Sequence, residues 1–466
     1  MGEAANTTMV DAARAVLDAN QREQWTVPSP KLYPHQWLWD SCFIAIGLRH
    51  YDTARAKQEL LSLLRGQWQN GMIPHITLTP NDEHWANADF WQSGRSKYAP
   101  NTPTSGLTQP PVLATAALLV SEKLDGANQR IFLKQMFPAL LAYHSWLYTD
   151  RDPGQTGLVA LIHPWECGLD NTPYWDMALH HFSPLWVGAF LKLGFGKFIN
   201  NYRKDTQAVP QKQRLTTVEA LKFAALAFNL RKHGYDASLC LKHNRFAVED
   251  VSYNSILAAA NKDLGKIADI IAEPIPTDLA FRFQTTNKAL ELLWDSNDGL
   301  YYSRSFHNKE PLRVATVASL LPLYSGVISK ERADVLVRHL INKQSFWPAF
   351  PVPSVATNDS HYTSDRYWQG PTWINMNWLL YHGLKNYGYD ELAESLRQTV
   401  FRLVNNSSFH EYFSALDGSG YGIDQFSWTA ALSIDLFYTG AGATNGGTRS
   451  GVFTNNQPSN QTTNTQ

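Results

Sequence analysis

The residues best suited to chemistry are concentrated in one stretch, residues 163–176, which reads HPWECGLDNTPYWD. It sets three carboxylates, Glu166, Asp170 and Asp176, among Trp165, Tyr174 and Trp175. Gly168 and Pro173 interrupt any regular element, and Pro173 biases Thr172 away from helical geometry. The stretch therefore reads as a shaped loop feeding a helix that starts near Trp175. Acids held against aromatic faces suit a site that protonates a leaving group while a ring stacks nearby. A helix entrance capped by Asp170 or Asn171, with the aromatics as core, accounts for the same residues.

Four further stretches share this character. Residues 33–43 (YPHQWLWDSCF) hold Asp40 among Trp37 and Trp39, and residues 104–111 (TSGLTQPP) place the Gln109 amide at a helix start. Residues 366–378 (RYWQGPTWINMNW) carry Trp368, Trp373 and Trp378 with Gln369, Asn375 and Asn377. Residues 409–428 (FHEYFSALDGSGYGIDQFSW) set Glu411 between His410 and Tyr412, then run through a Gly-rich turn to Gln425 and Trp428. Singly, each is also explained by capping and core aromatics; together they suit glycoside hydrolysis. That reaction needs two carboxyl groups about the sugar, one protonating the departing oxygen and the other attacking or activating water. Amides such as Asn171 and Gln425, with a third acid, Asp40, would grip sugar hydroxyls. Indoles such as Trp37, Trp39, Trp165, Trp368, Trp373 and Trp428 would cover its C–H face.

Other chemistries lack their parts. The chain has no Gly-x-Ser-x-Gly elbow, no phosphate loop and no His-Glu-x-x-His pair. His75, His84, His163, His180 and His181 show no metal-ligand spacing, so no metal or cofactor is expected. Cys42, Cys167 and Cys240 make neither a disulfide framework nor a Cys-x-x-Cys pair and read as buried thiols. Net charge is −1 from 40 basic and 41 acidic residues with no basic stripe, which argues against a nucleic-acid partner. Aromatics reach 12%, with 16 Trp, against 17% charged residues, a composition that fits a ring-stacking ligand or an aromatic-rich core. No signal peptide, membrane-spanning run or myristoylation motif is evident, so a cytoplasmic protein is expected, with a homo-oligomer left open.

These residues need a scaffold, and the periodicity supplies one. Residues 10–19 and 37–49 read as helices, and Asp52 caps another whose Ala56, Leu60, Leu63 and Leu64 form one buried stripe. Pro110 and Pro111 mark the first turn of a helix running to about residue 123. Further helices are predicted at 128–149, 176–200, 215–233, 253–271, 277–293, 314–325, 330–342, 371–387, 389–405 and 427–438, and one short hairpin arm at 299–303. Residues 70–107, punctuated by Gly and Pro, read as a long ordered loop. The expectation is an all-α protein, helices paired into a closed ring with long connections on one rim. Residues 1–440 would form the catalytic domain, and the 441–466 tail would be disordered.

Six segments together, YPHQWLWDSCF, RGQWQNGMIPH, TSGLTQPP, HPWECGLDNTP, YWQGPTWINMNW and FHEYF followed by FSWTAAL, resemble glycoside hydrolase family 63, most closely its glucosylglycerate and mannosylglycerate hydrolases. The resemblance spans roughly residues 32–436. It implies a single (α/α)6 barrel with long rim loops, an inverting mechanism, and no metal. By position, Asp170 matches the general acid, Glu411 the general base and Asp40 a third acid of the sugar subsite. Arg214 resembles the family's partner for a glycerate carboxylate, and Gln109 and Tyr33 its hydroxyl and carboxylate contacts. Residues 80–104 match no quotable pattern, which leaves the leaving group open. The expected substrate is 2-O-α-glucosyl- or mannosylglycerate. The alternatives are a trehalase or α-glucosidase acting on a neutral sugar and, further off, a non-catalytic carbohydrate-binding barrel.

Overall fold

A computed structural model describes residues 3–79, 87–180, 182, 203–244 and 246–441. The helices fall into two kinds, and composition decides which is which. α2 (Leu38–Leu48, LWDSCFIAIGL) is apolar around its whole circumference and every residue in it is buried. A helix of that kind needs neighbours on all sides. α4 (Leu113–Ser121), α7 (Val251–Ile271), the short α9 (Pro322–Ser325), α11 (Ile374–Asn386) and α13 (Ser427–Ala441) are similarly enclosed over most of their length. Each of these packs on the next in that order, and α13 packs back on α2.

Amphipathic helices cover this inner set. α1 (Glu3–Ala19) lies on α13, α3 (Thr53–Leu63) on α2 and α4, and α5 (Gly126–Arg151) on α4 and α7. α8 (Thr277–Ala289) packs on α7, α10 (Lys330–Leu340) on α9, and α12 (Asp390–Ser407) on α11 and α13. α10 shows the logic: KERADVLVRHL buries Ala333, Leu336, Val337 and Leu340 and turns its charges outward. α6 (Thr217–Lys232) begins with a capping box between Thr216 and Glu219. One hydrophobic cluster runs through the chain from Met9 to Leu436.

Away from the inner helix starts, Asp435 ties the inner helices together. It accepts from Arg49 Nη2 (2.9 Å) and Trp378 Nε1 (2.8 Å) and pairs with His50 Nε2 (2.7 Å). Burial opposes its charge, yet Arg49 and His50 hold its pKa well below the carboxylate range.

Near the inner helix starts the connections are stitched by two-residue antiparallel pairings, such as Gln36–Trp37 with Ile76–Thr77 and Tyr412–Phe413 with Gly420–Tyr421. These are too short to leave an alternating pattern in sequence. The expected arm at 299–303 is Leu300–Tyr301, paired with Trp294–Asp295. The 314–325 helix is instead a 3-10 turn, Val317–Leu320, followed by α9, with Pro322 at its first position. Pro110 and Pro111 stand outside α4, since the second proline holds the first in extended geometry. Of the helix expected at 176–200 only Tyr174–Ala178 is described; the remainder, like the 442–466 tail, lies largely outside the described residues.

Candidate active site

The site is a cavity of about 320 Å³ walled by residues at or just before inner helix starts. Trp37 is the N-cap of α2, and Trp39 and Asp40 sit in its first turn. Gln109, just ahead of α4, accepts from Trp39 N through Oε1 at 3.4 Å. Trp428 lies in the first turn of α13 and meets Trp39 edge to face, with ring centres 5.4 Å apart. Trp165, on the 3-10 turn Pro164–Glu166, stands beside His163 with centroids 4.5 Å apart. Gly168, at φ +79°, lets the loop pass under Trp39; a Cβ there would run into the indole.

Asp170 and Glu411 both line this cavity. Burial raises the Asp170 pKa to about 7, against the opposing pull of Arg214 and a hydrogen bond from Tyr367 Oη to Oδ2 (3.3 Å), with Glu411 adding to the rise. A carboxyl group in that state keeps its proton close to neutrality and can give it up. Asp40 is pushed up well above its ordinary range, first by burial; its own backbone N–H opposes, and Glu411 and Asp170 add repulsion.

Glu411 is held differently. It immediately precedes the Tyr412–Phe413 strand, and its backbone N–H bonds Ile423 O (2.9 Å) across the turn. Oε1 accepts from Tyr33 Oη (2.7 Å) and Arg214 Nη1 (3.2 Å); Oε2 accepts from Arg214 Nη1 (3.2 Å) and Ile423 N (3.3 Å). Gly422, at φ +69°, packs so closely that a Cβ would strike the carboxylate. Arg214 follows the 3-10 turn Gln211–Gln213, donates from Nη2 to Tyr33 Oη (2.6 Å) and lies 4.4 Å from the Tyr367 ring centre. Burial works against its charge, but Tyr33 and Glu411 hold its pKa well above the usual value.

Several expected residues are placed elsewhere. Trp373 is sandwiched between Trp368 (3.7 Å, nearly parallel) and Tyr412 (4.6 Å) and does not line the cavity; it backs Trp368, which does. Asn171 sits behind the wall, accepting from Trp368 N through Oδ1 (2.9 Å), while its carbonyl accepts from Gln369 Nε2 (2.9 Å). Gln425 is exposed at φ +53°, and its carbonyl is held by Asn20 Nδ2. Neither Asp170 nor Asn171 caps the Tyr174–Ala178 helix, whose N-cap is Pro173 without a side-chain bond.

The other two acids of the 163–176 stretch are not among the groups that shift the Asp170 pKa. Glu166 is turned away into a bidentate pair with Arg151. Asp176 faces Glu219, Lys222 and Arg366 around a separate, smaller cavity. His75 lines the site, edge-on to Trp37 and Trp91, while His163 Nε2 contacts Phe223 O (3.0 Å). Among the described residues, no group of three His, Cys, Asp or Glu could hold a metal. All three cysteines are buried and free.

Tyr367, Phe426 and Asp205 also reach the cavity wall. The first two lie inside the aromatic-rich stretches, so their neighbourhood was readable but their direction was not. Tyr367 enters through a backbone at φ +40°, which sequence does not announce. Asp205, 3.7 Å from Arg214 Nε, belongs to no motif.

Residues 33–429 match the model of the mannosylglycerate hydrolase MGH1-like glycoside hydrolase domain. A mannosylglycerate hydrolase of Rubrobacter radiotolerans is 36% identical over 93% of this chain and 97% of its own length. A glucosylglycerate hydrolase of Mycolicibacterium hassiacum is 31% identical over 91% and 97%. The crystal structure of the family 63 mannosylglycerate hydrolase of Thermus thermophilus with Tris and D-glycerate superposes with a TM-score of 0.82 at 36% identity, covering 92% of this chain and all of that one.

Proposed function

The chain belongs to glycoside hydrolase family 63, in its mannosylglycerate hydrolase MGH1-like branch, and on that premise we propose that it hydrolyses 2-O-α-mannosylglycerate or 2-O-α-glucosylglycerate with inversion. Asp170 gives its proton to the glycosidic oxygen as the bond to the anomeric carbon breaks. Glu411 takes a proton from the water whose oxygen bonds to that carbon, so sugar and glycerate leave with one water consumed. Asp40, Gln109 and the cavity-lining indoles hold the sugar. Arg214, with Tyr33, receives the glycerate carboxylate through charge-assisted hydrogen bonds.

The observation that carries the reading is that two acids in unlike surroundings line one cavity. Asp170 is raised to about 7 by burial, whereas Glu411 is paired with the Arg214 guanidinium at 3.2 Å. Two carboxyl groups with environments this different divide naturally into proton donor and proton acceptor. Among the described residues, six inner helices in cyclic contact and six helices covering them support an (α/α)6 barrel with residues 1–440 as its catalytic domain. Incubation with mannosylglycerate, glucosylglycerate and trehalose tests the function. Release of glycerate from one of the first two, with trehalose intact, is expected. Hydrolysis of trehalose alone would overturn the glycerate assignment.

A further inference from the structure

A carboxylate offers about four acceptor positions. Those of Glu411 are taken by Tyr33 Oη, Arg214 Nη1 (reaching both oxygens) and Ile423 N. A general base must turn one of those positions to the attacking water. Ile423 N is backbone within the same turn, and Gly422 walls in Oε2. Of the two side-chain donors, Tyr33 and Arg214, Arg214 carries the charge that a second carboxylate can draw away. Its guanidinium lines the cavity over the flat face of Tyr367, and among the described residues its buried Nε–H meets no hydrogen-bond acceptor, with Asp205 Oδ2 at 3.7 Å. An arginine with an unused edge can take a second carboxylate in forked geometry.

We propose that Arg214 determines specificity through the base: the carboxylate of an anionic leaving group draws the guanidinium off Glu411, and only then does Glu411 accept a proton from water. This rests on the proposed hydrolysis and deepens it. Binding and activation become one event, because the group that identifies the substrate also releases the base. Neutralising Arg214 further removes its downward pull on the Asp170 pKa, so the acid keeps its proton more firmly while the base is freed. Water then adds its oxygen to the anomeric carbon and its proton to Glu411, and the Asp170 proton leaves with glycerate.

A contact that merely binds the leaving group equally in ground and transition states changes KM and not kcat. Release of a base changes kcat. The test compares α-mannosylglycerate and α-glucosylglycerate with the same glycosides whose carboxylate is reduced to an alcohol. For the wild-type enzyme at saturation, kcat for the alcohol is expected to be at least about tenfold lower, general-base assistance being worth roughly 10²–10⁴-fold. Arg214→Met is expected to raise kcat on the alcohol while lowering kcat/KM on the acid.

Because that substitution opens a buried pair, a second measurement uses the unaltered protein. Hydrolysis of α-mannosyl or α-glucosyl fluoride should be accelerated by added D-glycerate and unaffected by glycerol. Equal kcat for acid and alcohol, or simple inhibition of fluoride hydrolysis by D-glycerate, would overturn the inference. If neither glycerate glycoside is hydrolysed, the proposed function itself falls. If they are hydrolysed with no kcat difference from the alcohols, only this inference falls.

Discussion

Among the described residues, the glutamate–arginine pairs Glu166–Arg151 and Glu411–Arg214 are both buried on each side, and they are put to different use. Glu166 receives Arg151 through two parallel bonds (2.8 and 2.9 Å), and Ile162 N (2.8 Å) and Thr108 N (3.4 Å) complete its oxygens. Glu411 is just as fully bonded, but its contacts to Arg214 are longer, both 3.2 Å, and come from a single nitrogen. Glu166 stands outside the site cavity and joins the loop before Asp170 to the end of α5, whereas Glu411 and Arg214 face the cavity together. Satisfied hydrogen bonds alone therefore do not separate a brace from a working carboxylate. Access to the cavity, and a partner with somewhere else to go, separate them here.

Removing the Glu411 carboxylate should give the largest effect. Glu411→Gln is expected to lower kcat about 10²–10⁴-fold, the usual worth of a general base, while the protein remains folded by circular dichroism. The mirror experiment, Glu166→Gln, should act on stability. Removing one partner of a buried pair costs roughly 3–5 kcal/mol, read as a clear fall in Tm, with kcat of the folded fraction nearly unchanged. If both variants lost activity equally with the fold intact, the distinction between brace and base would fail.

Asp170 adds a pH dependence. With Asp170 titrating at about 7, kcat/KM should fall tenfold per unit as pH rises beyond that value, and a pH–rate profile checks it. The stability sign follows from the same shift. Near pH 3 Asp170 is protonated in both folded and unfolded chains and contributes nothing. As pH rises from the ordinary value of 3.8 to about 7, the unfolded chain loses its proton first, so folding loses stability across that window. Asp170→Asn should therefore raise Tm at pH 8 but not near pH 3, while losing turnover. The smallest effect belongs to Gln425→Ala: an exposed residue away from the cavity should change stability by no more than about 0.5 kcal/mol and leave kcat unaltered.

Sequence made the framework legible because it is written in periodicity. α2 is apolar all round and α10 on one face only, and that contrast alone separates an inner from an outer layer. The five stretches rich in acids, amides or aromatics were legible as a set because each lies at or near a helix start. What it left unresolved was direction. Glu166, Asp170 and Asp176 look equivalent within fourteen residues of chain. Arg151, fifteen residues before Glu166, removes the first, and the Glu219–Arg366 neighbourhood claims the third. Trp368 and Trp373 lie in one short aromatic stretch, yet only Trp368 faces the cavity, because Trp373 is enclosed between two rings. Period and composition report which side of an element is buried; they do not report which of two buried faces meets a cavity.

The central claim is that Asp170 and Glu411 work on a glycerate glycoside from the two sides of the sugar, as inversion requires. Proton NMR of the first turnovers of α-mannosylglycerate and α-glucosylglycerate measures this directly. D-Glycerate and the β-anomer of the free sugar are expected to appear together, the α-anomer growing in only by mutarotation. First appearance of the α-anomer, or no release of glycerate from either compound, would contradict it.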